Sequence, residues 1–524
     1  MTTRAVSVAG LLLCWLGLLI LSLLLRPLLP VDETRYIGVA WEMWQRGEFL
    51  VPWLNGEPYS HKPPLFFWLV HAGWWLFGVN EWWPRSIAAL VSLAVLPAVS
   101  HLAGLLWPQD RALRELVPWV LFGFIFWAAF YTWLQIDMLL VLFTVVAMIG
   151  LLRASQGLGS GWLVTGIAIG LAVLSKGPVI LLHVLPVALL APLWTDAQAR
   201  PSWRSWYGGV LVSVATGAAI GLAWALPAAS AGGEVYAQAI LWGQTADRMV
   251  NSFAHAQPWW WYLPWLPLLA APWILLPWLW PQLFRRPRET GTRFCLTWLV
   301  AVILLASAIS GKQAKYLLPV LPAVALLVAH AMSQVVVSRR PWLVAVSLLL
   351  AGSALALLPQ RLETAPWVAG IHPGWWGLLG VVALALLLVR EMPVTDYARR
   401  LVLLCVAAVA IMQLALFPAA GPAYDLQEAG QVIARAQAGG SPVANIGRYH
   451  GQYHFHGRLR QRVIPLARED AFRWSAGNPD GLLVAYYDGA PPVHPDVLHT
   501  QDFRGGSLAI WRGQTVVDDP EVLP

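Results

Sequence analysis

The run VSVAGLLLCWLGLLILSLLL, from Val6 to Leu25, contains no charged side chain. An α-helix needs about 20 consecutive apolar residues to cross the hydrocarbon core of a bilayer. Arg4 precedes the run, as in a signal peptide, but no small-residue cleavage site follows it. The sequence therefore predicts an uncleaved first transmembrane helix that starts in the cytoplasm.

The composition extends this prediction to most of the chain. Of the 524 residues, 58% are hydrophobic and 12% are charged, whereas a soluble domain is about 25% charged. The 33 Trp residues are typical of membrane–water interfaces. The formal net charge of +7 arises from basic residues in short loops between apolar runs, a pattern of topology signals. We expect membrane lipids as partners and no nucleic acid.

Fourteen apolar runs are candidate spans, and loop charges decide their orientation by the positive-inside rule. The run 64–79 is the weakest, since it follows Pro63 and has only about 16 residues against the 20 required. We predict an interfacial or re-entrant helix there, inside a large first external loop, 27–83. Thirteen spans remain, with the N-terminus inside and the C-terminus outside. The candidate runs are 6–29, 64–79, 84–106, 116–134, 137–152, 161–176, 177–194, 207–229, 261–284, 294–310, 316–336, 342–358, 374–390 and 400–418.

The apolar runs stop at residue 418, and residues 419–524 have the composition of a small α/β domain. Asp425 and Glu428 predict the start of a helix that ends at Gly439 and Gly440. Strands are predicted at Leu482–Tyr487 and Ser507–Trp511. Cys14, Cys295 and Cys405 each fall in an apolar run, so we expect no disulfides. The expected organisation is a transmembrane domain, 1–418, and an extracytoplasmic domain, 419–524.

Lysine is rare in this chain and confined to one side of the predicted topology. The only lysines are Lys62, Lys176, Lys312 and Lys315, all at external helix ends, where the positive-inside rule disfavours them. They either snorkel to the interface or bind an anionic ligand such as a phosphate, since charges at this depth tend to mark function.

Two motifs occupy the first external loop. DETRY, residues 32–36, places two carboxylates and an arginine at the bilayer edge, and LNGEPYSHKPPLFFW, residues 54–68, follows. Asn55-Gly56 and the prolines predict turns that orient His61 and Lys62. DETRY is either a helix cap with a local Asp–Arg pair, or a base or metal ligand beside a phosphate-binding arginine.

This loop resembles that of the bacterial protein mannosyltransferase-like glycosyltransferases, and most of all the 4-amino-4-deoxy-L-arabinose lipid A transferases. QIDM (135–138), SKGP (175–178), a DR segment before PWWWYLP (247–264) and SGKQAKYLLP (310–319) occur in the same order as in that family. The resemblance implies a polytopic α-helical membrane protein of the GT-C type. The charge-derived topology places all five elements outside.

The resemblance also implies roles for individual residues. Asp32 corresponds to the catalytic or acceptor-orienting aspartate, and Asp137 corresponds to a second carboxylate, which is otherwise a polar helix end. The remaining matched residues are expected to bind the phosphate of a polyprenyl-phosphate donor, with Lys312 and Lys315 adding positive charge. These phosphate-binding candidates are Arg35, Tyr36, Lys62, Arg248, Tyr316, Lys312 and Lys315.

One departure concerns a metal site. The family has a glutamate before the lysine of the KPP motif, and that glutamate joins a later histidine at a metal. Here the position is His61, the later histidine is His255, and Glu33 is a candidate third ligand. A zinc site needs three or four ligands. The resemblance therefore implies a divalent cofactor, zinc or magnesium, with an altered ligand set.

The resulting hypothesis is a glycosyltransferase that moves a sugar from undecaprenyl phosphate to lipid A, or another lipopolysaccharide component, at the periplasmic face of the inner membrane. No nucleotide cofactor is expected. Transfer to protein or polysaccharide is the alternative within the class. A transporter or flippase of a lipid-linked sugar is the alternative outside it, although no inverted repeat or mid-span carboxylate supports it. A binding protein that works through 419–524 is a third class.

Overall fold

The computed structural model describes residues 3–196, 201–247, 256–283, 285–357 and 366–524. The described residues before 418 are mostly helical, as the long apolar runs predict. The helices are α1 (Thr3–Leu25), α2 (Asp32–Arg46), α3 (Leu65–Phe77), α4 (Trp82–Leu106), α5 (Arg111–Phe122), α6 (Ile125–Phe130), α7 (Asp137–Ser155), α8 (Ser160–Lys176), α9 (Ile180–Leu189), α10 (Ala191–Trp194), α11 (Trp203–Gly232), α12 (Glu234–Gln238), α13 (Leu266–Leu269), α14 (Trp280–Leu283), α15 (Thr290–Ala308), α16 (Leu321–Ser333), α17 (Trp342–Leu357), α18 (Gly374–Leu387) and α19 (Val394–Ala420).

Within the described residues, seven helical segments are long and apolar enough to cross a bilayer, and five shorter apolar helices accompany them. The chain is therefore a multi-pass helical membrane protein, as predicted. The number of crossings, thirteen, stays a prediction, because length and composition alone do not place the bilayer. The weak run 64–79 forms α3, a helix of 13 residues, which is shorter than a span requires.

Besides the predicted span 177–194, which divides into α9 and α10 at Leu190, two predicted spans are broken in the structure. The run 116–134 divides into α5 and α6 around Gly123. The run 261–284 consists of short turns, including a 3-10 helix at Trp259–Trp265 and the four-residue helices α13 and α14. Proline lacks the N–H that continues a helix and clashes with the preceding turn. This second run has a proline about every five residues. The prolines interrupt the helix without lowering the hydrophobicity, so a prediction from hydrophobicity alone misses the breaks.

Small residues let α7 and α8 pack closely. Gly150 on α7 faces Gly161 on α8, and a Cβ on Gly161 would lie 2.4 Å from the Gly150 carbonyl oxygen. Thr165 also donates a hydrogen bond from its hydroxyl to the Ala147 carbonyl oxygen. The two helices run antiparallel, so the first residue of α7, Asp137, lies beside the last residue of α8, Lys176.

The C-terminal part forms the predicted α/β domain around a five-stranded sheet of order β4-β3-β5-β7-β6. β3 is parallel to β4 and β5, whereas β7 is antiparallel to β5 and β6. The predicted strand Leu482–Tyr487 is observed unchanged. The elements are α20 (Gln427–Ala438), β3 (Val443–Ile446), β4 (Val463–Leu466), α21 (Ala471–Gly477), β5 (Leu482–Tyr487), β6 (His499–Phe503), β7 (Gly506–Arg512) and α22 (Gly513–Asp518).

The first external loop contributes a β-hairpin that docks onto this domain. Asn55 and Gly56 form its turn with φ of 56° and 77°, between strands β1 (Trp53–Leu54) and β2 (Glu57–Pro58). Positive φ at both positions explains the Asn-Gly pair. The Asn55 amide donates to the Val463 carbonyl oxygen at 2.9 Å and accepts from the Val463 N–H at 2.8 Å. The hairpin thereby fixes the edge strand β4 against the loop.

Candidate active site

Two aspartates begin two helices on the same face of the membrane domain. Asp32 is the first residue of α2, and Asp137 is the first residue of α7. The unpaired N–H groups and the dipole of a helix N-terminus stabilise a carboxylate there. The Asp32 side chain is 39% exposed and that of Asp137 is 5% exposed. Asp32 is therefore the accessible carboxylate and Asp137 the enclosed one.

Asp32 lies between two cations. Its Oδ1 accepts a hydrogen bond from the Arg35 guanidinium, and its Oδ2 lies 3.3 Å from the Lys315 ammonium. Burial raises the pKa of Asp32, but the charges of Lys315 and Arg35 outweigh burial, with a smaller effect of Lys62. The pKa of Asp32 is consequently lowered, and the group is ionised at neutral pH.

Asp137 pairs with Lys176, whose ammonium lies 2.5 Å from Oδ1. The same ammonium lies 4.8 Å from the centre of the Tyr316 ring, within the range of a cation–π contact. The charges of Lys315 and Lys62 also act on Asp137. Lys176 is therefore the direct partner of the second carboxylate, and the positive charge around Lys315 and Lys62 joins the two aspartates into one site.

Tyr36 and Arg35 form the wall of α2 beside Asp32. The Tyr36 side chain is buried and packs edge-on against Phe66 of α3, with 6.3 Å between ring centres. The Arg35 guanidinium lies 5.7 Å from the centre of the Tyr36 ring. Burial raises the pKa of Tyr36 well above its ordinary value. Tyr36 thus remains a neutral phenol, suited to donating a hydrogen bond to an anion.

Lys312 has a different position from the one expected. Its ammonium donates to the carbonyl oxygens of Gln257, at 3.1 Å, and of Ile309, and the residue is 3% exposed. Two of its three N–H donors thus hold the backbone of the loop. A role of Lys312 in phosphate binding stays a prediction, whereas Lys315, three residues later, faces Asp32.

Glu33 is committed to the scaffold. Its Oε2 lies 2.5 Å from the Arg26 guanidinium and accepts the Leu29 N–H at 2.9 Å, and its Oε1 accepts the Leu134 N–H at 2.8 Å. Both side chains of the ion pair are buried. Both oxygens of Glu33 thus hold neighbouring backbone and side-chain groups in place, and its role as a metal ligand stays a prediction.

The other proposed metal ligands are His61 and His255. His61 is exposed, with its ring 5.2 Å from that of Tyr59. His255 and the predicted phosphate ligand Arg248 lie outside the described residues. In the described part of the chain no three side chains of His, Cys, Asp or Glu converge on a metal position. A bound metal stays a prediction, because one of its proposed ligands, His255, is outside this part of the chain.

Sequence reasoning missed the pairing of Lys176 with Asp137 and the anchoring role of Arg26. The rarity of lysine signalled Lys176, but only the antiparallel packing of α7 and α8 brings it to Asp137. No motif signalled Arg26. Together the site holds the carboxylates of Asp32 and Asp137 among the cations Arg35, Lys62, Lys176 and Lys315, which leaves an excess of positive charge suited to a phosphate.

Known proteins resemble this chain over its membrane domain. A family model described as dolichyl-phosphate-mannose-protein mannosyltransferase matches residues 61–227. An undecaprenyl phosphate-alpha-4-amino-4-deoxy-L-arabinose arabinosyl transferase of Pseudomonas savastanoi pv. phaseolicola is 33% identical, over 60% of this chain and 61% of its own. The protein of the same description from Erwinia tasmaniensis is 31% identical, over 68% of this chain and 64% of its own. The match thus spans less than two thirds of the length of these relatives.

The fold resembles that of a solved structure over nearly its whole length. The crystal structure of ArnT from Cupriavidus metallidurans bound to undecaprenyl phosphate matches with a TM-score of 0.75, covering 97% of each chain at 18% sequence identity. The polytopic helical architecture with a C-terminal sheet domain is therefore confirmed. The resemblance to the aminoarabinose lipid A transferases, inferred above from short motifs, is confirmed as well.

Proposed function

We propose that this protein is an integral-membrane glycosyltransferase that moves 4-amino-4-deoxy-L-arabinose from undecaprenyl phosphate to lipid A. The main support for this proposal is the cluster of cations around Asp32 and Asp137 at one face of the membrane domain. The names of the relatives supply the sugar, the carrier lipid and the class of reaction. The phosphate that leaves during the reaction is negatively charged. The cations Arg35, Lys62, Lys176 and Lys315 supply the positive charge that stabilises it.

In this mechanism an acceptor oxygen attacks the anomeric carbon of the sugar. The bond from that carbon to the lipid phosphate oxygen breaks, and its electron pair stays on undecaprenyl phosphate. In-line displacement inverts the anomeric centre. Lys315, Arg35 and Lys62 neutralise the charge that develops on the leaving phosphate, which lowers the barrier by electrostatic stabilisation.

The role of Asp32 depends on the acceptor. A phosphate of lipid A is already anionic, so the Asp32 carboxylate orients the acceptor rather than deprotonating it. A hydroxyl acceptor would instead transfer its proton to Asp32. The lowered pKa of Asp32 favours orientation, because a strongly stabilised carboxylate is a weak base.

The site faces the periplasm of the bacterial inner membrane in this proposal. The arginine-rich connections, which the positive-inside rule assigns to the cytoplasm, lie at the opposite helix ends from Asp32, Asp137 and Lys176. A periplasmic site explains why the donor is carried by a lipid, since nucleotide sugars are confined to the cytoplasm.

The proposal is tested by label transfer from undecaprenyl-phosphate-linked 4-amino-4-deoxy-L-arabinose to lipid A in proteoliposomes. Wild type and Asp396→Asn, which alters an exposed carboxylate paired with Arg399, are expected to label lipid A. Asp32→Asn is expected to lose the label. If the label appears in protein or polysaccharide instead, the proposed acceptor, lipid A, is wrong. Donor binding without any transfer would contradict an enzymatic function.

A further inference from the structure

The loop after strand β3 brings the C-terminal domain against the helix that carries Asp32. A Cβ on Gly38 of α2 would lie 3.1 Å from the Gly451 carbonyl oxygen, so the two backbones are in direct contact. Gly38 is three residues after Arg35 and therefore lies on the same face of α2, one turn away. The residue before Gly451, His450, is thereby placed next to the active-site arginine.

Specific contacts hold this loop in position. The Trp41 indole N–H donates to the Leu459 carbonyl oxygen at 3.0 Å, and a Cβ on Gly451 would lie 2.5 Å from the Leu54 side chain. Gly447 and Gly451, which bracket the loop, have φ of 81° and 75°, the left-handed region that favours glycine. The loop is a shaped element of the site and not a loose connection.

Two arginines of the C-terminal domain, one in this loop and one between β6 and β7, have no acidic partner among the described residues. Arg448 and Arg504 are exposed, and neither makes an ion pair in the described part of the chain. Three arginines of the same domain have partners: Arg462 pairs with Glu57, Arg473 with Asp470, and Arg458 lies over the Phe455 ring. Arg435, Arg460, Arg468 and Arg512 are exposed like Arg448 and Arg504, so the contact of the loop with α2 is what distinguishes Arg448. Free arginines beside a site that already has excess positive charge indicate an anionic ligand.

The pKa of His450 is affected by charges from both domains. Burial lowers its pKa, and the charges of Arg35 and Arg448 lower it further, with a smaller effect of Arg504. Asp32 acts in the opposite direction. Contacts connect the two segments as well. The His450 N–H donates to the Gln452 side-chain oxygen at 2.8 Å, and the Gln452 amide donates to the Tyr486 hydroxyl at 2.9 Å. The Tyr486 ring lies 5.5 Å from that of Phe503, the residue before Arg504.

Arg504 occupies a turn that ordinarily favours other residues. Arg504 and Gly505, with φ of 54° and 95°, join β6 to β7 in a two-residue hairpin turn, where Asn-Gly is preferred. The Arg504 N–H donates to the Ala423 carbonyl oxygen at 3.2 Å, three residues beyond the end of α19. This bond ties the turn to the segment that follows the last apolar helix, α19.

We propose that Arg448, His450 and Arg504 of the C-terminal domain form the binding site for the phosphate of the anionic lipid acceptor, facing the donor site across Arg35. This inference rests on the proposed function and extends it by dividing the two lipids between two sets of cations. Lys62, Lys176 and Lys315 serve the donor phosphate, and the C-terminal domain selects an acceptor that bears a phosphate.

The test uses the full chain, with diphosphoryl lipid A as the probe. Arg448→Ala and Arg504→Ala are each expected to raise KM for diphosphoryl lipid A by roughly tenfold, the effect of losing one charge-assisted hydrogen bond. KM for the donor should stay unchanged. Arg448→Lys should restore part of the loss, and Arg473→Ala, an exposed arginine of the same domain, is the matched control.

Binding of diphosphoryl lipid A to the detergent-solubilised protein, followed by native mass spectrometry, separates the two hypotheses. Weaker binding by both arginine variants, with or without transfer activity, supports the acceptor site. If the variants bind lipid A as wild type does while transfer proceeds, the inference is overturned and the proposed function stands. A raised KM for the donor, or equal displacement of lipid A by phosphatidylglycerol, would also overturn it.

Discussion

The Glu33 carboxylate accepts the Leu134 N–H at 2.8 Å, and this bond ties the helix that begins with Asp32 to the turn three residues before Asp137. The buried Arg26 guanidinium neutralises the same carboxylate and also donates to the Thr132 carbonyl oxygen at 3.2 Å. One ion pair thus sets the positions of both aspartates. Arg26 and Glu33 therefore have a structural role, although Glu33 belongs to the DETRY motif.

We expect Glu33→Gln to destabilise the protein and to reduce transfer without abolishing donor binding. Removing one partner of a buried ion pair leaves the other charge uncompensated and costs about 3–5 kcal/mol. Thermal unfolding in detergent measures the loss. Asp396→Asn is the control, because its exposed pair with Arg399 contributes about 0–1 kcal/mol. Equal effects of the two variants would contradict the structural role of Glu33.

The pair of Asp137 and Lys176 predicts a non-additive response. Lys176→Met leaves the Asp137 carboxylate buried without its nearest cation, whereas the double variant Asp137→Asn/Lys176→Met removes both charges. We expect the double variant to be more stable than Lys176→Met alone, although both are inactive, because unpaired buried charge is the larger cost. Thermal unfolding of the two single variants and the double variant completes the cycle. Additive losses would show that the pair does not interact.

The acidic limb of the pH–rate profile should respond to Lys315. Because the pKa of Asp32 is lowered, this carboxylate stays mostly ionised even at a pH equal to the ordinary aspartate pKa of about 3.9. In Lys315→Met the effect of burial, which raises the pKa, is opposed by fewer cations. The pKa of Asp32 then rises, and kcat/KM begins to fall at a higher pH than in wild type. Lys315→Arg keeps the charge and should keep the wild-type limb; coincident limbs for all three proteins would exclude this assignment.

Local signals in the sequence predicted local structure well. The Asn55-Gly56 pair predicted a turn, and the β-rich stretch at Leu482–Tyr487 predicted its strand, because each depends on neighbouring residues alone. Apolar length predicted most membrane helices for the same reason. It failed at 261–284, where repeated prolines remove helical hydrogen bonds without lowering the hydrophobicity.

Contacts between residues that are distant in the sequence could not be predicted from local patterns. The rarity of lysine singled out Lys176 and Lys312 equally, yet one pairs with Asp137 and the other with backbone carbonyls. Their difference follows from the packing of distant helices. The approach of Gly451 to Gly38 likewise joins the two ends of the chain, and no local pattern encodes it.

The docking of the C-terminal domain predicts a change in hydrogen exchange at β4. Asn55→Gly preserves the positive φ of the hairpin turn but removes both side-chain hydrogen bonds to Val463. The Val463 amide should then exchange roughly fivefold faster, as expected for losing a net contribution of about 1 kcal/mol. The amides of β5, which lies inside the sheet, serve as the internal control and should be unaffected. Unchanged exchange at Val463 would mean that the edge strand is held by the sheet alone, and that the hairpin does not contribute to docking.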